Sequence, residues 1–223
     1  VGNFNDLGNR IMYGVPLAVV ALTCLAFESS AGVFIAVIAA IFVCEVAVIL
    51  WRNWPSLPKH AAVPIAFLVM GVTGFGFAFG LRHQDNGFYT LFLVALGVVA
   101  TDAFAYIGGR KFGHSKFFPG ISPNKTREGV LIGAGCGMTA LLVGWSVLRR
   151  LELTDLKPLS AMMVVIILPI VAVAGDLLES KAKRLLGVKD FGKCLGSHGG
   201  VADRFDAMTA AFVAYGVISL YSM

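Results

Sequence analysis

Seven apolar stretches of similar length dominate the 223-residue chain: 11–27, 33–51, 61–80, 89–107, 129–148, 159–178 and 206–222. Each approaches the ~20 residues that a helix needs to cross the hydrocarbon core of a bilayer. Backbone polar groups find no water there, so such stretches must satisfy their hydrogen bonds internally, as helices. Charged residues make up 14% of the chain and the mean hydropathy is +0.81. A soluble domain carries about 25% charged residues. The expected fold is therefore all-α, a polytopic membrane helix bundle of about seven transmembrane helices. The spans leave no room for a separate soluble domain, so residues 1–223 read as a single integral membrane domain.

The distribution of cations predicts the orientation. With the N-terminus inside, the inner segments 1–10, 52–60, 108–128 and 179–205 hold fourteen of the 18 Lys and Arg residues. The outer loops hold four: Arg82, Arg149, Arg150 and Lys157. The positive-inside rule then gives N-in and C-out. Attraction to lipid headgroups accounts for part of the basic balance, and no nucleic-acid partner is expected. It does not account for eleven cations in just two loops. Cys24, Cys44, Cys136 and Cys194 show no CxxC or His–Cys spacing and read as small packing residues. The first span, closely followed by the second, reads as half of a retained helical hairpin rather than a signal peptide. The start at Val1 is taken as a trimmed N-terminus.

Acids at membrane depth cost about 2.5–3.5 kcal/mol each on insertion scales, so they are expected to face inward. Glu45, Asp102, Asp176 and Glu179 all fall near the inner ends of their spans and line one level of the bundle. Glu45 lies seven residues before Arg52, a depth of roughly 10 Å. Taken alone, it reads as a bundle-stabilising hydrogen-bond partner ahead of a catalyst. Asp176 and Glu179 are i, i+3 and share a helix face, as do Asp102 and Tyr106 at i, i+4. Gly129, Gly133 and Gly137 recur every four residues, which predicts close helix packing.

Two inner loops hold the remaining polar features. Residues 108–129 are too rich in Gly, Pro and Ser for a continuous helix and carry five cations. Lys125-Thr126-Arg127 precedes a span and offers cations and backbone N–H groups to a phosphate; a plain positive-inside loop is the alternative. In the second loop, Asp203 and Asp206 are i, i+3, and His198-Gly199-Gly200 forms a turn just before them. Asp176 can approach the same point from the neighbouring span. Carboxylates beside phosphate-binding cations suit Mg²⁺, which takes one or two carboxylates plus waters and substrate phosphates. Lys183, Arg184 and Lys189 are candidate triphosphate clamps. The combination points to phosphoryl or nucleotidyl transfer at a membrane surface.

The run Ser180-x-x-Lys183-Arg184-x4-Lys189-Asp190, followed by Gly196-x-His198-Gly199-Gly200-x-x-Asp203-Arg204-x-Asp206, closely resembles the signature of the phosphatidate cytidylyltransferase family, bacterial type. The resemblance extends to Asp102-Ala-Phe-Ala-Tyr106, Ser122-Pro-Asn-Lys125-Thr-x-Glu-Gly129 and Gly175-Asp176-x-x-Glu179-Ser180. These motifs make 101–223 the catalytic half and leave 1–100 as N-terminal spans that match only in character. The chain is short for the family, with one or two early spans wanting. The resemblance implies Mg²⁺-dependent transfer of CMP from CTP to phosphatidic acid, yielding CDP-diacylglycerol and pyrophosphate for phospholipid biosynthesis. It implies a second, monovalent cation such as K⁺, a homodimer, and a multi-pass place in the bacterial inner membrane with the site facing the cytoplasm.

Carried onto this chain, the metal ligands are expected to be Asp176, Asp203 and Asp206. Lys183, Arg184, Lys189 and Arg204 are the expected phosphate clamps, with His198 shaping its turn or touching phosphate. Arg204, between two aspartates, also reads as a partner that fixes their rotamers. Substrate contacts are assigned to Lys125, Arg127, Ser122, Asp102, Glu179, Gly199 and Gly200. Two other classes fit part of the pattern. An ion-coupled transporter also buries acids, but here they gather toward one face and the outer halves of the spans are almost wholly apolar. A lipid kinase would share the bundle and the metal and differ in its nucleotide.

Overall fold

The computed structural model describes residues 19–56, 60–195 and 199–221. Its helices are α1 (19–26), α2 (Glu28–Asn53), α3 (Ala62–Arg82), α4 (Gly87–Phe112), α5 (Arg127–Arg150), α6 (Pro158–Leu186) and α7 (Ala202–Leu220). Five of them, α2 to α6, are long and apolar enough to cross a membrane. Seven were expected. Residues 11–18 of the first expected span lie outside the described residues. In the last, Asp203, Arg204 and Asp206 open a helix of only 19 residues, so every window of membrane-spanning length includes all three charges.

The loop expected at 108–129 is partly ordered. Helix α4 runs on through Arg110 and Lys111 to Phe112, and the Gly113 N–H closes its last turn on the Gly109 carbonyl at 3.0 Å. An antiparallel hairpin follows, β1 (Lys116–Phe118) and β2 (Ser122–Thr126), turning at Pro119-Gly120, residue types suited to tight turns. Thr126 ends the hairpin and begins α5, its hydroxyl accepting the Gly129 N–H at 3.2 Å as an N-cap. The Glu128 carboxylate reaches back to the N–H groups of His114 and Ser115, each at 3.2 Å, and ties off the base of the hairpin.

Helix pairs meet where side chains are smallest. The Gly129, Gly133 and Gly137 ridge of α5 lies on α4, where an added Cβ would strike Ala105, Thr101 or Gly109. Gly175 of α6 lies against Ala210 and the Asp206 carbonyl of α7, and Gly74 of α3 lies against Thr209. Gly71 of α3 receives the Phe42 ring from α2. Phe42 is fully buried and packs on Phe67 at 5.3 Å and Phe75 at 5.6 Å between centroids. The outer faces are apolar and exposed, including Val33, Trp51, Leu131 and Ile170, as befits helices meant for lipid. Arg82, expected in an outer loop, is instead the buried last residue of α3. It donates to the carbonyls of Leu25 at 2.9 Å and Ala26 at 3.3 Å, binding the free C-terminal carbonyls of α1.

Candidate active site

Three helices bring carboxylates to one place. Asp176 and Glu179 sit one turn apart on α6, and Asp206 reaches them from α7. Their oxygens lie within 4.8 Å of one another. The close approach at Gly175, one residue before Asp176, is what lets α6 and α7 come near enough for this. Asp102 of α4 is within electrostatic reach of both Asp176 and Asp206. It is itself exposed.

Two lysines enter the cluster. Lys125, from β2, places its Nζ 2.5 Å from Asp176 Oδ2. Lys183, one turn beyond Glu179, pairs with the Glu179 carboxylate and with Asp203 Oδ1 at 3.1 Å. Glu179 is 2% exposed, so its charge depends on that lysine. Hard carboxylate oxygens at this spacing match the donor set of a divalent cation such as Mg²⁺. Carboxylates of Asp176, Glu179 and Asp203 are paired with the two lysines, and Asp102 and Asp206 lie within electrostatic reach of the same group.

Asp203 is held differently. Its oxygens accept the N–H groups of Gly200 at 2.8 Å, Phe191 at 3.0 Å and Gly192 at 3.4 Å, besides Lys183. It thereby closes the loop between α6 and α7 and sits beside the trio of Asp176, Glu179 and Asp206, in hydrogen-bond contact with Glu179. Gly187, at φ 66°, ends α6 in the left-handed conformation and turns the chain into this loop. Two N–H groups at the end of the second loop and the start of α7 are already engaged: Gly200's by Asp203, and Ala202's by Glu45 of α2 at 2.9 Å. At the start of α5, likewise, the Arg127 N–H goes to the Ser115 carbonyl at 2.9 Å.

The chain matches the family model described as the cytidylyltransferase family over residues 6–221. It belongs to that family. A phosphatidate cytidylyltransferase of Staphylococcus haemolyticus is 38% identical over 156 residues, which cover 68% of this chain and 58% of that protein. The protein of that name from Staphylococcus aureus strain COL is 36% identical over 154 residues, with the same two coverages. One from Staphylococcus saprophyticus stands at the same 36% over 154 residues. The chain thus spans less than two thirds of the length of the curated relatives it matches. The apolar helices and the bacterial relatives together mark a multi-pass membrane protein.

The other expected site residues take varied places in the fold. Arg184 is exposed and its Nε donates to the Ile121 carbonyl at 3.4 Å, linking the end of α6 to the hairpin. Lys189, Arg204 and Arg127 are exposed, and Ser122 is half-buried in the hairpin opposite Phe118. Gly199 is buried at φ 81° beside the Asp203 carboxylate. His198 lies outside the described residues. From sequence, Glu45 reads as a stabilising partner ahead of a catalyst, and Lys125 as a substrate contact. Neither the pairing of Lys125 with Asp176 nor the reach of Glu45 to Ala202, 157 residues away, leaves a local signal in the sequence. An apolar groove of about 460 Å³ between α2 and α3, lined by Ile35, Ala39, Val72 and Phe75 among others, contains none of the carboxylates.

Proposed function

We propose that this chain is the catalytic part of a phosphatidate cytidylyltransferase, transferring CMP from CTP to phosphatidic acid and releasing CDP-diacylglycerol and pyrophosphate. The observation that carries the reading is the meeting of α4, α6, α7 and the hairpin lysine around one carboxylate cluster in an apolar bundle. In this reading residues 1–223 form one membrane domain, 1–100 as N-terminal spans and 101–223 as the catalytic half. About seven helices cross a bacterial inner membrane, N-in and C-out, with the cluster toward the cytoplasm. The enzyme acts as a homodimer.

A phosphatidate oxygen attacks the α-phosphorus of CTP; a new P–O bond forms, and the α–β phosphoanhydride electron pair leaves with pyrophosphate. The nucleophile is already anionic near neutral pH, so no strong base is needed. The barrier is the repulsion between two anions. Asp176, Glu179 and Asp206 would hold Mg²⁺, which supplies charge neutralisation for the phosphates and the leaving group. A monovalent cation such as K⁺ would accompany it beside the same carboxylates. Asp203 remains an expected ligand beside that trio, and it also fixes Lys183 and the loop. Lys125 and Lys183 turn from their carboxylates toward substrate phosphate. Arg184, Lys189, Arg204 and Arg127 complete the clamp, with His198, Gly199, Gly200, Ser122 and Asp102 at its rim.

The test is pyrophosphate release by purified, detergent-solubilised protein supplied with Mg²⁺, phosphatidic acid and either CTP or ATP. Release with CTP alone, and only with phosphatidate present, is the expected result. ADP and a phosphorylated lipid formed from ATP would make the protein a kinase; no release with either nucleotide in folded protein would return the transporter reading.

A further inference from the structure

Helix α7 begins without a side-chain cap of its own, since its N-cap is Val201. The first N–H groups of a helix have no partner within it, and burial leaves them costly if unmet. Glu45 provides that partner from α2. One carboxylate oxygen accepts the Ala202 N–H at 2.9 Å, and the other accepts the Cys194 thiol at 3.0 Å. Burial and then the Glu45 carboxylate raise the Cys194 thiol above its ordinary value, so it stays protonated and able to donate. Negative charge at a helix N-terminus is also favoured by the helix dipole.

The loop is shaped around this carboxylate. A Cβ added at Gly192 or at Gly200 would overlap the Glu45 side chain. Neither glycine has the positive φ that would by itself require glycine, which leaves the approach of Glu45 as the reason for both. Beside it, Phe191 stacks on Phe67 of α3 at 5.2 Å between centroids and 19° between planes. The same Phe191 and the two glycines donate their N–H groups to Asp203. Glu45 and Asp203 thus both hold one loop, which leads directly into the helix carrying Asp206.

We propose that Glu45 is a positioning residue, seating the 188–201 loop and the start of α7 so that Asp206 meets Asp176 and Glu179 at metal-binding distance. The N-terminal spans then set the geometry of the catalytic half. The proposal rests on the cluster being the metal-binding centre.

Three variants of the full chain in detergent test it: Glu45→Ala, Glu45→Gln and Gly192→Ala. Two readouts avoid nucleotide turnover: Mn²⁺ affinity by electron paramagnetic resonance, and the rate of tryptic cleavage after Lys189 and Lys193, both exposed in the loop. Glu45→Ala is expected to weaken Mn²⁺ binding and to speed cleavage, each at least tenfold. Glu45→Gln keeps an acceptor for Ala202 and is expected to stay within threefold of the unmodified chain on both. Gly192→Ala, which drives a methyl into Glu45, is expected to follow Glu45→Ala, and it carries the test if Glu45→Ala fails to fold. Combined with Glu45→Ala, it adds little further effect. Unchanged Mn²⁺ affinity in both Glu45→Ala and Gly192→Ala would overturn the proposal; faster cleavage with unchanged affinity would reduce Glu45 to a brace. A chain that binds Mn²⁺ in this pattern yet fails to use CTP would leave the proposal standing and remove the reaction assigned above.

Discussion

The geometry of the carboxylate trio depends on Gly175, and a single methyl group tests that dependence. In Gly175→Ala, the new Cβ would lie 2.6 Å from the Ala210 Cβ and 2.9 Å from the Asp206 carbonyl oxygen. Carbon atoms rest at about 3.5–4.0 Å, so α6 and α7 must part by about 1 Å. Neither contact is the movable end of a long side chain; one is a β-carbon and the other is backbone. Overpacking of this kind costs about 1–3 kcal/mol of stability. The effect on reaction is larger, because the displaced segment carries Asp176 on one side and Asp206 on the other. A misplacement of about 1 Å at reacting groups costs about 10²-fold, equivalent to roughly 2.7 kcal/mol of barrier. The assay is pyrophosphate release from CTP and phosphatidate, with thermal unfolding measured in parallel. Ala210→Gly in the same background removes the nearest clash and should recover about tenfold of the lost rate. Turnover within threefold of the unmodified chain, in folded Gly175→Ala protein, would refute the argument that this helix contact sets the site.

Three further outcomes are expected. Asp206→Ala should abolish turnover while leaving the protein folded, and substantial Mg²⁺-dependent pyrophosphate release from it would sink the metal assignment. Lys183→Met removes the cation shared by Glu179 and Asp203, which should cost about 3–5 kcal/mol in denaturant unfolding because a buried charge is left unpaired; adding Glu179→Gln should restore part of that loss. Arg82→Met breaks the two hydrogen bonds to the carbonyls of α1, worth about 1.5–3 kcal/mol for a charged donor. It should lower the unfolding midpoint with kcat unchanged, and a fall in kcat without loss of stability would contradict its purely structural place.

The helices were legible because bilayer thickness writes itself into sequence as apolar length. The α4–α5 contact was legible too, since glycines at four-residue spacing form a ridge whatever the partner. Local i, i+3 spacing correctly put Asp176 and Glu179 on one face, and α7 does bring Asp206 to them. What spacing could not tell was how Asp203 and Asp206 divide between loop and cluster. Both lie in the first turns of one helix, yet Asp203 accepts N–H groups of the preceding loop besides the Lys183 ammonium of α6, while Asp206 meets Asp176 and Glu179. That choice is made by the neighbours each carboxylate finds, which are separated from it in sequence. The hairpin went unread for a related reason: Gly, Pro and Ser argue against a helix, but they do not distinguish an irregular loop from two short strands closed by Glu128.

The site is assembled by three separate close contacts, each delivering one component. The glycine ridge of α5 on α4 anchors the hairpin and so places Lys125. Gly175 brings α6 against α7 and so places Asp176, Glu179 and Asp206. Glu45, lodged against Gly192 and Gly200, ties α2 to the loop between them. None of these contacts is itself charged chemistry on the substrate, and each is short because at least one partner lacks a side chain. A cluster of like charges in an apolar bundle repels itself, so it must be held by packing that is stiff on the scale of an ångström. The Gly175 contact and the glycine ridge of α5 provide that stiffness, since backbone there meets backbone or a β-carbon directly. Substitutions at these glycines should therefore damage the reaction more than the fold, whereas the loss of a buried lysine should damage both.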